Sequence, residues 1–104
     1  MRIKVTDILT DYEGRQIYDG EEPVTYLKVF ATALNTISDQ DRPPANEMAL
    51  IYSLSVRLYD GEEIVLKVEE AALIKDKVGK AYNPLVYGRT CDLLDGKTTA
   101  QKKK

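Results

Sequence analysis

Histidine and tryptophan are absent from this 104-residue sequence, and cysteine and phenylalanine occur once each. The missing histidine removes the commonest general base near neutral pH, the commonest imidazole metal ligand and the middle member of the usual nucleophilic triads. A single cysteine, Cys91, excludes an intrachain disulfide and a multi-cysteine metal site. With no histidine to activate it, Cys91 reads as a buried, inert thiol. Long apolar runs are missing too, since nothing approaches the roughly 20 residues of a membrane span. The start, Met1-Arg2-Ile3-Lys4-Val5, meets Asp7 and Asp11 before the apolar stretch of a secretory signal could form. The expectation is a cytoplasmic protein that makes no use of a membrane.

Other chemistries fail on spacing. Gly96-Lys97-Thr98 looks like the end of a phosphate-binding loop, but the earlier glycine that the backbone cradle needs would fall at position 91, which is Cys91. Carboxylates such as Glu21/Glu22 and Glu69/Glu70 are adjacent in sequence, so their side chains diverge instead of flanking one bond. Asp11-Tyr12-Glu13-Gly14 does not supply the ligand order of a calcium loop. The sequence therefore points to a protein that is not an enzyme and needs neither cofactor nor metal.

What is present is a soluble composition, 43% hydrophobic and 31% charged, at a length that suits one hydrophobic core. Residues 1–96 hold 11 Lys and Arg against 17 Asp and Glu, while Lys97, Lys102, Lys103 and Lys104 add four positive charges and leave the whole chain at −2. We expect one acidic domain over 1–96 and a flexible lysine-rich tail over 97–104. Four tail lysines beside an acidic body are too small an electrostatic footprint for nucleic acid.

The pattern along the domain predicts an α+β fold: an amino-terminal β-hairpin, one further short strand and about four short helices. Arg2 to Leu9 alternates, with Ile3, Val5 and Ile8 inward, and Gln16-Ile17-Tyr18 returns as a second strand after the turn residues Asp11 to Gly14. Tyr26, Val29, Phe30, Ala33, Leu34 and Ile37 share one helical face, opened by Thr25 as N-cap. Pro43-Pro44 closes a polar loop. A second helix carries Met48, Ile51, Tyr52, Ser55, Leu58 and Tyr59 on one face, widened by Leu50 and Leu54, and ends at Asp60-Gly61. Glu62 to Lys67 suits a short strand and equally a packed linker, and Lys67 stands where a capping Ser or Thr is expected. Val68 to Tyr82 suits a helix with Ala71, Ile74 and Val78 inward, and Asn83-Pro84 opens a last helix closed by Gly96.

Two features stand out as candidate contact surfaces. Tyr18-Asp19-Gly20-Glu21-Glu22 recurs as Tyr59-Asp60-Gly61-Glu62-Glu63, and each copy leads to Leu-Lys-Val. The plainest reading is two similar turn-into-helix connections, with an ancient duplication as the alternative origin; the functional reading makes Glu21, Glu22, Glu62 and Glu63 parts of acidic recognition patches, or metal ligands, together with Asp19 and Asp60. The second is Tyr82-Asn83-Pro84-Leu85-Val86-Tyr87-Gly88-Arg89, where Tyr82, Tyr87 and Arg89, with Lys80 before them, form a candidate binding surface. Here Gly88 is the residue expected to let two helices approach closely. Seven tyrosines suit interfaces, combining apolar area with a polar tip. Tyr26, Tyr52 and Tyr59 are assigned to the core, and Tyr12, Tyr18, Tyr82 and Tyr87 to the surface.

At Lys4 to Gly14, at Glu70-Ala71-Ala72-Leu73-Ile74-Lys75 and at Val78 to Val86, the chain resembles small uncharacterised proteins encoded by tailed phages and prophages. The resemblance implies a viral protein acting in the host bacterial cytoplasm, and brings no active-site motif with it. The reading that follows is a noncatalytic module binding an unidentified host or viral protein, modulating a host process or defence. One alternative is a virion accessory or tail-assembly protein, with self-association into a homo-oligomer among its expected properties. Another is a binder of a small molecule or nucleotide signal, using Arg89, Lys80 and Tyr87 for phosphate and base.

Overall fold

The first residues pair across the chain. In the computed structural model, which describes residues 1–96, strand β1 (Arg2–Lys4) runs antiparallel to β4 (Glu63–Val65), with Ile3 opposite Ile64. The pairing extends to Met1, whose carbonyl accepts from the Leu66 N–H at 2.6 Å. Ile3 and Ile64 face inward, and the outward Arg2 and Glu63 meet at 3.3 Å. The tail expected over 97–104 lies outside the described residues.

The amino-terminal hairpin follows β1 instead of containing it. Leu9 accepts from the Ile17 N–H at 2.9 Å and Thr10 bridges Gln16. The chain then turns again through β2 (Tyr18–Asp19) and β3 (Glu22–Pro23), whose tight connection places Gly20 at φ +69°. The expected alternation fails after Val5: a bend at Asp7 shifts the phase, so Leu9 is fully buried and Ile8 only partly.

Four helices complete the α+β fold. Helix α1 (Tyr26–Asn35) starts where expected, with Thr25 Oγ1 accepting from the Lys28 N–H at 3.2 Å. It ends two residues before Ile37; there Asn35 Nδ2 donates to Ser55 Oγ at 2.9 Å and ties α1 to the next helix. A short 3₁₀ turn at Asp39–Asp41 precedes α2 (Ala45–Leu58). Helix α3 (Val68–Ala81) begins with Lys67 at the cap, and the Glu70 carboxylate takes over the capping role by accepting from the Lys67 N–H at 2.9 Å. Helix α4 (Pro84–Leu94) opens on Asn83 Oδ1, which accepts from the Val86 N–H at 3.0 Å.

Helix α1 lies at the centre, packed on α3 and on α2, while α4 packs on α3. The buried residues form one cluster that includes Val5, Leu9, Phe30, Leu34, Leu54, Leu58, Ile74, Val78 and Leu94. Among the described residues, one buried side-chain polar atom has no hydrogen-bond partner: Thr90 Oγ1, on the inner face of α4. An unpaired buried hydroxyl costs on the order of 1–3 kcal/mol, and valine has the same shape without it. Thr90→Val is therefore expected to raise stability by about 1 kcal/mol, read as a higher urea midpoint with an unchanged slope; a loss of stability would show that the hydroxyl is satisfied in solution.

Candidate functional site

The residues singled out in the sequence do not gather in one place. Arg89 is occupied within the fold: Nε donates to the Thr10 carbonyl at 2.9 Å and Nη2 to the Asp11 carbonyl at 2.6 Å, so it fastens the hairpin turn onto α4. That turn is further ordered by Asp11 Oδ1, which accepts from the N–H groups of Glu13 and Arg15. Foremost the Arg15 N–H, then that of Glu13 and the Arg15 side chain, hold the Asp11 carboxyl below its ordinary range, against some desolvation. Tyr82, at the end of α3, is half-buried, packed against the core and still partly exposed.

Tyr87 lies at the surface as expected, but its ring rests on α3 at Gly79, where an added Cβ would stand 3.2 Å from Cε1. Gly79 is thus the close-approach glycine, whereas a Cβ at Gly88 would meet open space. Cys91, one turn along from Tyr87, is half-buried instead of buried, and its side-chain hydrogen bond with Tyr87 pushes the phenol above its ordinary value. Beside them Lys75 Nζ meets Asp95 Oδ1 at 2.6 Å, which raises the lysine.

Lys80 belongs to another face of α3. With Lys77, Ala33, Thr36, Ser38 and Ala81 it lines a cleft of about 160 Å³. Both ammonium groups there have carboxylate partners, Lys77 with Glu47 at 3.1 Å and Lys80 with Asp76 at 3.5 Å. Ligand pockets for drug-sized molecules usually run from about 300 Å³ upward. The cleft is small for a nucleotide, and neither Arg89 nor Tyr87 lines it.

The two acidic turns share a local plan, in which Asp-Gly turns the chain into a short strand and then a helix. They differ in what the strand pairs with, β3 with β2 and β4 with β1. Glu22 is taken by Lys28 at 2.7 Å, and this contact lowers the carboxyl and raises the lysine. Smaller contributions to the same rise come from Asp19 and Tyr59. Glu63 pairs with Arg2. Asp19, Glu21, Asp60 and Glu62 are exposed. Among the described residues, no three His, Cys, Asp or Glu side chains are placed to hold a metal ion.

A surface not singled out in the sequence emerges on α2. Its buried stripe is Ile51, Leu54 and Leu58, and the tyrosines assigned to the core, Tyr52 and Tyr59, are 72% and 67% exposed. Val56 between them is 52% exposed, and Ala45 and Ala49 continue the line. At 3.6 residues per turn, positions 45, 49, 52, 56 and 59 fall within an arc of about 80°, and their four-three spacing is that of a helix-packing seam.

The charges of α2 sharpen the contrast. Its two charged residues, Glu47 and Arg57, both make ion pairs with α3: Glu47 with Lys77, and Arg57 with Glu70 at 2.8 Å. The outer face carries only Ala45, Asn46, Ala49, Tyr52, Ser53, Val56 and Tyr59, in a sequence that is 31% charged. Other exposed apolar side chains, such as Tyr12, Val65 and Val68, sit on other elements and form no comparable row.

Comparison with known protein families, curated proteins and solved structures finds no match to this chain. No described helix is long and apolar enough to cross a membrane.

Proposed function

We propose that this is a noncatalytic, phage-encoded protein–protein interaction module acting in the host bacterial cytoplasm, and that the outer face of α2 is its docking surface. The observation that carries the reading is the uncharged row Ala45, Ala49, Tyr52, Val56 and Tyr59 on an exposed helix whose two charges are both spent on internal pairs. Such a face gives up little hydration on docking, and its tyrosines add large contact area with few rotatable bonds. The acidic turn at Asp60 borders one end, giving a polar rim that favours a partner with basic groups at its edge. The nucleotide-binding alternative draws no support from the geometry, because Arg89, Lys80 and Tyr87 occupy separate places.

A photo-crosslinking residue at position 52, compared with one at exposed Asp76 on α3, tests this in cells producing the full chain. Discrete adducts from position 52 and none from position 76 are expected. Equal, diffuse labelling from both positions, or none from position 52, would overturn the reading.

A further inference from the structure

We infer that the free edge of β1 docks an extended peptide as a third strand, one with acidic residues at alternate positions and an apolar residue between them. This surface is separate from the outer face of α2. The hydrogen-bond register decides which backbone groups are left over. Met1 and Leu66 exchange both their bonds, at 2.7 and 2.6 Å, and the Val5 N–H donates to the Glu62 carbonyl at 2.9 Å. The hydrogen-bonded pairs of this antiparallel ladder therefore fall on Met1, Ile3 and Val5, and the N–H and C=O groups of Arg2 and Lys4 point away from β4. Among the described residues, no strand pairs with β1 on that side. The opposite edge of the sheet is not equivalent, because the Val65 carbonyl on β4 already accepts from Arg57.

A groove of about 370 Å³ runs beside the same edge, between Met1, Arg2 and Ile3 and the end of α4, Leu93 to Gly96. Side chains alternate across a strand, so a groove that Arg2 and Ile3 both line lies along the strand's edge. It touches no residue of β4, so that edge is the free one. Met1, Ile3, Leu93 and Leu94 give it apolar walls. A third strand in register with β1 presents the residue opposite Ile3 to this groove and sets its two neighbours on the outer face, beside Arg2 and Lys4.

Charge names the partner. Arg2 and Lys4 are exposed, and their ion pairs, with Glu63 at 3.3 Å and Asp7 at 3.6 Å, are surface pairs that yield readily. Asp95, the carboxylate at the groove, is itself held by Lys75 at 2.6 Å, and the sequence passes from the rim residue Gly96 straight to Lys97. Cations on an edge strand also guard against pairing with a second copy, which would set the two cations of one chain beside those of the other. The strand that fits carries carboxylates at its two outward positions and an apolar side chain at the inward one.

The test titrates the isotope-labelled full chain with a short blocked peptide whose centre is glutamate, leucine, glutamate, flanked by threonine and valine. With four backbone hydrogen bonds to gain, a dissociation constant of about 0.1–1 mM is expected. The amides of Arg2 and Lys4 should shift and exchange more slowly on binding, with no change at Tyr52 or Val56. N-methylation of both glutamate amides, which face β1 in the added strand, should abolish binding, whereas N-methylation of the leucine amide, which faces away, should not. Arg2→Gln/Lys4→Gln should weaken binding at least about threefold, and so should lysine in place of the two glutamates. No shift at Arg2 to Lys4 with about 5 mM peptide, equal loss from either methylation, or equal binding of the lysine peptide would overturn the proposal. So would Arg2 and Lys4 amides already slow to exchange in the free chain, because the chain itself would then occupy the edge.

Discussion

Phe30→Ala is expected to cost about 3–5 kcal/mol, the range for removing a large aromatic from a close-packed core. The ring is fully buried on α1, the helix that touches both α2 and α3, and it packs against Tyr26 with centroids 5.9 Å apart at a tilt of 57°. No other phenylalanine and no tryptophan exist to share its volume. A domain of this size has only about 5–15 kcal/mol in total, so the variant should be largely unfolded in dilute urea. Phe30→Leu keeps most of the volume and should lose much less. A Phe30→Ala midpoint within about 1 kcal/mol of the parent would contradict the central place given to α1.

Arg57→Ala is expected to cost about 2–4 kcal/mol, below the upper end for a broken buried pair because the arginine is itself 37% exposed. The guanidinium joins three elements: it reaches out from the last turn of α2, donates to both Glu70 oxygens on α3, and donates to the Val65 carbonyl on β4. Removing it strands the Glu70 carboxylate, only 8% exposed, with the Lys67 N–H as its remaining donor. The double variant Arg57→Leu/Glu70→Leu removes both charges and should recover most of that loss, less the cap to Lys67.

The same pair fixes an acid-side pH dependence. The Arg57 hydrogen bond, ahead of desolvation, which opposes it, and of the Lys67 N–H, holds Glu70 below the usual glutamate value. A depressed folded pKa gives stability that is present above the unfolded value near 4.3 and is lost as pH falls from there through the folded value. Arg57→Ala should therefore flatten the stability profile in that acid window; an unchanged slope would mean that the pair carries no linkage.

The helices whose signals are local were legible in the sequence. Thr25 and Asn83 cap where their side chains predicted, Pro84 sits at the first position of α4, and Ala71, Ile74 and Val78 turn inward. What depends on distant partners was not. β1 pairs with a strand about 60 residues away, and Arg89 is held by carbonyls 78 and 79 residues away, so no local pattern announces either contact. On α2 the 3.6-residue period revealed a helix but not which of its two apolar rows is buried. Ile51, Leu54 and Leu58 form one row; Ala45, Ala49, Tyr52, Val56 and Tyr59 form the other. The partners of Glu47 and Arg57 decide between them, and those lie on α3. The four-three spacing of the second row was readable, and it is the signal by which the candidate surface could have been found.

The most direct test of α2 as the docking surface is residue-by-residue photo-crosslinking of the full chain in the cells that produce it. Discrete adducts are expected from positions 45, 49, 52, 53, 56 and 59, and none from positions 80, 87 or 89. Adducts centred on positions 82 to 89, or none from α2, would contradict the account.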